Sequence, residues 1–485
     1  MATVIPFTGL RYNPEKIENM AEVVTPPYDV IDATAQERYY QRHLYNIIRL
    51  EYGKIHPEDD EINNRYSRAA ADFNTWIKEN ILTPEAKPAL YRYEQEFTAK
   101  GEKKIRSGFI GGVKLEPYEN GVILPHEETL PKHKADRLEL MRACKANFSP
   151  IFGLYADREK LIDLALSEAA NGAPPDVSFT DETGEAHRLW VITDSEVISK
   201  VQQAMADKRI FIADGHHRYE TALNYQQERQ TQAAKQPDGA ATAVASSCSA
   251  TPDGTITYQC TREPAYNYMM MNLVNLYDPG LVVFPTHRLI NNVTGLDKAR
   301  LPEQLKENFN LSEHTLAPDR SNLQALLKLM EEQAGFGAVQ ASMDAVNGQT
   351  MGNAAPHHHI FGMYTGENKF YILSLKHEES LYQIMPQGKS PAWQGLDVAA
   401  LHSLIIEKHL GIGGELMAKA EHITYTREEE SAIAAVDTGE FQLAFFLNPT
   451  LVEEVTEVAT NGEKMPQKST FFYPKLITGL VLNQL

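Results

Sequence analysis

The sequence predicts an α+β protein: a mixed-sheet core followed by a second, smaller α/β unit. Three observations predict it. The alternating stretch PALYRYEQEF is answered by KIRSGFIGGVKLE across the turn-like TAKGEKK, the pattern of a hairpin. An apolar run, IFIA, ends in Asp214-Gly215-His216-His217-Arg218 and passes at once into a helical pattern. From about residue 297 onward helix and strand patterns alternate, with KFYILSL, LDVAALHSLIIEKHL and FQLAFFLNPT among them. The expected division is 1–292 for the core, which carries the functional motifs, and 293–485 for the smaller unit.

The elements follow in order. In VVTPPYDVI, Pro26 and Pro27 lack amide donors and fix φ, so this is an extended loop delivering Tyr28 and Asp29. Helices are expected near 34–43 and 59–80, the second with Ile62, Tyr66, Ala69, Phe73 and Ile77 on one stripe. The hairpin comes next. Residues 121–155 then read as loop, helix and short strand, with Pro131 opening the helix and Asn147 to Pro150 closing it. The stretch 157–207 reads as an excursion. After the 209–223 motif, QQERQTQAAKQPDGAATA reads as a polar link. YNYMMMNLVNLYDPGLVVFPTHRLI gives two strand-like runs around Asp278-Pro279-Gly280.

Composition narrows the class. There are 46 Lys and Arg against 65 Asp and Glu, a net charge of −19, which argues against nucleic-acid or acidic-membrane binding. The three cysteines, Cys144, Cys248 and Cys260, form no CxxC pair, so a reducing cytoplasm is expected. The N-terminus, MATVIPFTGLRYNPEK, lacks a basic region followed by an apolar run, and no stretch approaches a membrane span.

The junction at 209–223 carries the chemistry. Gly215 permits a sharp turn, and free amides at a helix start attract phosphate. Arg218 offers a bidentate fork for an anion. His216 and His217 can donate hydrogen bonds or move protons near neutral pH. Asp214 can orient a histidine, bind Mg²⁺ or simply cap the helix. Adjacent histidines rarely ligate one tetrahedral ion, so no resident metal is assigned here. PHHHI at 356–360 reads as a surface loop.

ADGHHRYETA resembles the signature of the bacterial and archaeal domain-of-unknown-function family numbered 1015. VVTPPYDVI, NIIRLE, PHEETLPKHKADRLELMRACKANFSPIFGLY, FPTHRLI, LDVAALH and MPQKSTFFYPKL are similar to blocks of the same family and span nearly the whole chain. More distantly, strand, Gly-x-x-Arg and helix resembles the phosphate-binding signature of the ParB/sulfiredoxin fold. His216 stands where sulfiredoxins carry their catalytic cysteine, which argues against sulfinic-acid repair. The acidic charge and lack of a helix-turn-helix signal argue against ParB-type DNA loading. Asp214, Gly215, His216 and Arg218 are similar to the Asp-Gly-His-x-Arg turn of archaeal free-serine kinase. That resemblance implies a ParB/sulfiredoxin-like core, nucleotide phosphate at this turn, and phosphoryl transfer.

A phosphotransferase also needs a base near the acceptor hydroxyl and cations near the phosphates. PHEETLPKHKADR offers Glu127 or Glu128 as base, the role the kinase's loop glutamate implies; the residues do not decide between them, and Glu127 is carried forward. His126 can bond a phosphate or the acceptor, and Lys134 and Arg137 are cationic. The same residues also read as a solvated helix start. Arg49, in an apolar run, needs a carboxylate partner. His287 and Arg288 form a second possible anion contact, and His402 reads as a core histidine. Lys468, Ser469 and Thr470 lack P-loop glycines.

The expectation is a cytoplasmic phosphotransferase using ADP or ATP with Mg²⁺ on a small hydroxylated metabolite, serine or phosphoserine first. Glu127, His126, Asp214 and His216 are its catalytic candidates. Gly215, His217, Arg218, Lys134 and Arg137 are its cofactor-binding candidates. The alternatives are a nucleotide-binding regulatory switch and a nucleotide-independent phosphatase-like hydrolase. Oligomeric state stays open.

Overall fold

The computed structural model describes residues 1–485 except 128, 130, 236–243, 251–255, 336–357, 415 and 417–420. Glu128 and His357 therefore lie outside the described residues. The chain forms two compact units, Met1–Val282 with Phe472–Leu485, and Val283–Phe471. The last residues join the first unit because they pair there: Leu482 bridges Leu10, Thr478 bridges Thr25, and Asn483 pairs with Asn147. Sequence alone placed this stretch in the C-terminal unit.

The first unit is built on a nine-stranded mixed sheet. Its strands are β1 (Val4–Ile5), β2 (Leu90–Ala99), β3 (Glu102–Lys114), β4 (Ile123–Leu124), β5 (Ile151–Tyr155), β6 (Val177–Thr180), β7 (Ala186–Ile192), β8 (Ile210–Asp214) and β9 (Tyr268–Asn275). Their order is β4-β8-β5-β9-β3-β2-β7-β6, with β1 on β3. The β8–β4 and β9–β5 pairs are parallel; β8–β5 and β9–β3 are antiparallel. The hairpin is present as β2 and β3, with Ala99 opposite Glu102. The supposed excursion is no excursion. Its strand β7 pairs with β2 from Leu90 to Glu96, because HRLWVI alternates in register with LYRYEQ.

The longer helices of this unit are α1 (Ala33–Arg42), α2 (Arg65–Lys78), α3 (Pro131–Cys144), α4 (Leu161–Ala170), α5 (Ser195–Met205) and α6 (His216–Lys235). A capping box at Asn64 and Ser67 starts α2. That cap leaves Ile62 outside the helix and 78% exposed, so Trp76 takes its place beside Phe73 in the core. Burying two such aromatic side chains contributes roughly 1.5–3 kcal/mol each. The first part of the expected polar link is helical: α6 runs on to Lys235, since its QQERQTQAAK stretch has no glycine or proline to stop it.

The second unit holds a six-stranded antiparallel sheet. Its strands are β10 (His287–Ile290), β11 (Phe309–Thr315), β12 (Ile360–Tyr364), β13 (Lys369–Leu375), β14 (Ile423–Thr426) and β15 (Leu443–Phe446), in the order β11-β13-β12-β15-β10-β14. Within this unit His359 is buried and bonded to Glu378 at 2.7 Å and to the Gly395 carbonyl at 3.1 Å, not set in a surface loop. Arg288 is also buried. It donates to the Thr286 and Lys468 carbonyls and, at 3.3 Å, to His402, which is a core histidine. Burial lowers the Arg288 pKa to about 10. Among the described residues no helix is long and apolar enough to cross a membrane.

Candidate active site at the strand-to-helix turn

Strand β8 ends at Asp214 with a bulge against β5, and helix α6 begins two residues later. Gly215 makes the change of direction at φ +94°, a conformation open to glycine. A Cβ there would also meet the Arg218 guanidinium at 2.9–3.1 Å. The glycine thus supplies both the turn and the room for Arg218 under it. Tyr219 donates its amide to the Gly215 carbonyl at 3.1 Å, which leaves the preceding amides of α6 as an anion-attracting terminus.

Two histidines meet at this turn. His126 and His216 are 2% and 3% exposed, and their rings stand edge to face with centroids 4.7 Å apart. Elementary bonding fixes their tautomers. His126 Nδ1 lies 2.8 Å from the Ile212 carbonyl, which can only accept, so Nδ1 carries the proton and Nε2 the lone pair. His216 Nε2 accepts the His126 amide at 3.3 Å, so its proton sits on Nδ1, which faces Glu127 Oε2 at 3.8 Å. Burial lowers the pKa of His126, so it stays neutral at neutral pH. His217, next on α6, is partly exposed.

Asp214 is held by two cations, Lys475 Nζ at 3.1 Å from one oxygen and Arg218 Nη2 at 3.4 Å from the other. Burial alone would raise its pKa; Lys475, Arg218 and His216 outweigh that and keep the carboxyl well below its ordinary range. Its stabilising contribution is therefore complete above about pH 4. It is lost as pH falls from there toward the lowered pKa. Lys475→Met is expected to cost about 1–3 kcal/mol at neutral pH and to move acid unfolding to higher pH. Circular dichroism along an acid titration checks this.

The other cations expected on phosphate are committed elsewhere. Arg218 is 6% exposed, and its Nη1 donates to Ser149 Oγ at 2.9 Å and to the Pro150 carbonyl at 2.7 Å. Ser149 passes the bond on to Glu51 at 3.0 Å. Arg137, 5% exposed, pairs with Glu51 at 3.3 Å and with Asp136 at 2.6 Å, and lies 4.0 Å over the Tyr28 ring. Burial raises the Glu51 pKa, opposed by Arg137 and Arg218. Lys134 pairs with Glu220 on α6 at 2.8 Å. These three residues brace α3 and α6 at the turn; a buried guanidinium needs such partners, which is why neither arginine is left to fork an anion.

Sequence reasoning missed Lys475, Glu51 and Ser149. Lys475 lies in the MPQKSTFFYPKL block, and that was its one signal. Tyr28 is buried while Asp29 is exposed. Among the described residues no carboxylate is bonded to Arg49: it stacks 4.5 Å over Tyr40 and donates to the Tyr40 carbonyl at 3.0 Å, a cation–π solution.

Among solved structures the chain is similar to free serine kinase in complex with AMP, at 14% identity and a TM-score of 0.30, over 74% of this chain and 89% of that one. A variant of the same kinase in complex with ADP matches at 12% identity and a TM-score of 0.30, over 74% and 90%. SbnI from Staphylococcus aureus, truncated at its C-terminus, matches at 10% identity and a TM-score of 0.32, over 77% and 87%. No curated protein matches the chain. The model of a family described as protein of unknown function, DUF1015, matches residues 4–399, and the chain belongs to that family.

Proposed function

We propose that the chain is a phosphotransferase moving a phosphoryl group between ADP or ATP and a small hydroxylated metabolite, with serine or phosphoserine the first pair to test. The observation that carries this reading is the meeting of Glu127, His216 and His126 at a glycine-turned helix start. Phosphoryl transfer asks a protein for little beyond positioning and charge. The amides of Gly215, His216 and His217 take a terminal phosphate. Glu127 accepts the proton of the acceptor hydroxyl as its oxygen bonds phosphorus and the bond to the departing nucleotide oxygen breaks. The His216 Nδ1 proton holds Glu127, and the neutral His126 ring holds His216 in place. Lys475 has three donor protons and neutralises phosphate beside Asp214. Arg218, Arg137 and Lys134 act as positioning residues. The ParB/sulfiredoxin-like character of the core belongs to the same proposal.

Mg²⁺ would ride on the nucleotide phosphates. Asp214 does not fit as its ligand, because both oxygens already face cations. The nucleotide itself is tested by thermal shift. ADP or ATP with Mg²⁺ at about 100 times Kd is expected to add roughly 2.7 kcal/mol. The gain should be lost in Lys475→Ala. A wild-type protein unmoved by any nucleotide would remove this reading and the regulatory-switch reading together.

A further inference from the structure

The tip of the β6–β7 hairpin gathers Asp181, Glu185 and His187, whose ligand-type atoms all lie within 4.8 Å of one another. The group stands apart from the turn residues assigned above. Asp181 Oδ1 is used up by the turn: it accepts from the Thr183 amide at 2.9 Å, the Thr183 hydroxyl at 2.7 Å and the Glu185 amide at 3.0 Å. Its Oδ2 faces His187 Nε2 at 3.3 Å.

His187 is 1% exposed, and its Nε2 is buried without a hydrogen bond; the approach to Asp181 is close but not angled as one. Its other nitrogen is fixed, with Nδ1 2.8 Å from the Tyr93 hydroxyl. Phe179 and Tyr93 stack on the ring, with centroids at 4.9 and 6.1 Å. A histidine ligand is normally held in this way through its second nitrogen. Glu185 is 8% exposed. The nearby cation, Arg106, is turned away onto the Pro474 carbonyl at 2.7 Å and stacked 4.6 Å over Phe152.

We propose that this hairpin tip binds one divalent metal ion of the zinc class through Asp181 Oδ2, a Glu185 oxygen and His187 Nε2. A tetrahedral ion with bonds of about 2.0–2.2 Å sets its ligands roughly 3.3–3.6 Å apart, and the Asp181–His187 separation already has that value. One imidazole with two carboxylates suits zinc better than Mg²⁺, which keeps to oxygen ligands. The fourth position remains for water.

The test is calorimetric titration of Zn²⁺ into the full-length protein stripped with a chelator, in excess Mg²⁺. One equivalent should bind, and affinity should fall at least tenfold in Glu185→Gln, Asp181→Asn and His187→Gln. Tyr93→Phe, which removes the outer hydrogen bond, should weaken binding about tenfold. Glu185→Gln is isosteric and should melt at the wild-type temperature without metal, which separates lost binding from lost folding. His357→Ala with His358→Ala, in the sequence run of three histidines, should leave the titration unchanged. Absence of binding overturns the proposal. So does binding that survives in Glu185→Gln and His187→Gln but vanishes in the His357/His358 variant, and the hairpin is then an aspartate-capped turn only.

Discussion

Glu127→Gln is expected to lower acceptor-dependent nucleotide turnover by about 10²–10⁴-fold, the range that general-base catalysis supplies. Nucleotide-induced stabilisation should stay within twofold of wild type in apparent Kd. The split follows from the geometry. Glu127 lies 3.8 Å from the protonated Nδ1 of His216, while His216 lies on the helix start assigned to phosphate. An amide at 127 keeps the volume and can still accept from His216, but cannot take a proton from a hydroxyl. Steady-state kinetics read against a thermal shift separate the two effects. A loss of nucleotide stabilisation equal to the loss of rate would move Glu127 from the acceptor to the nucleotide.

Gly215→Ala is expected to destabilise the first unit and the candidate site together. Two costs add. A non-glycine residue at φ +94° pays about 1–3 kcal/mol of backbone strain. The new Cβ also meets Arg218 Nη2 at 2.9 Å, Cζ at 3.1 Å and Nε at 3.0 Å. Arg218 cannot yield cheaply, because it is bonded to Ser149, Pro150 and Asp214, and overpacking of this kind costs about 1–3 kcal/mol more. The sum is roughly 2–6 kcal/mol, visible as a lower denaturation midpoint and as loss of nucleotide stabilisation. A midpoint near wild type would show that the turn relaxes without consequence, and the account of Arg218 as its support would fail.

The parts of this protein legible in its sequence are those whose cause is local. The β2–β3 hairpin follows from alternation, and the passage from β8 into α6 from an apolar run, a glycine and a helical pattern. The bracing of the site is not local. Asp214 and Lys475 are 261 positions apart, and nothing near either predicts the pair. Glu51, Ser149, Arg137 and Arg218 come from separate segments, and only the fold puts the buried guanidinium groups beside their acceptors. A sequence motif also cannot tell an arginine offered to a ligand from one that holds a turn, since the same charge serves both. Arg218 is the case in point, and Arg49 shows that a ring face can stand in for an expected carboxylate.

In the proposed function the turn at 214–218 hands a phosphoryl group to a small hydroxyl compound. The most direct measurement is the initial rate of nucleotide turnover by the full-length wild-type protein with Mg²⁺, with and without serine, following phosphoserine as product. The rate is expected to rise with acceptor concentration and saturate, with one phosphorylated product per nucleotide consumed. A nucleotide that binds but turns over at an acceptor-independent rate would contradict it and make the turn a switch. Phosphate released from phosphoserine with no nucleotide present would contradict it in favour of a hydrolase.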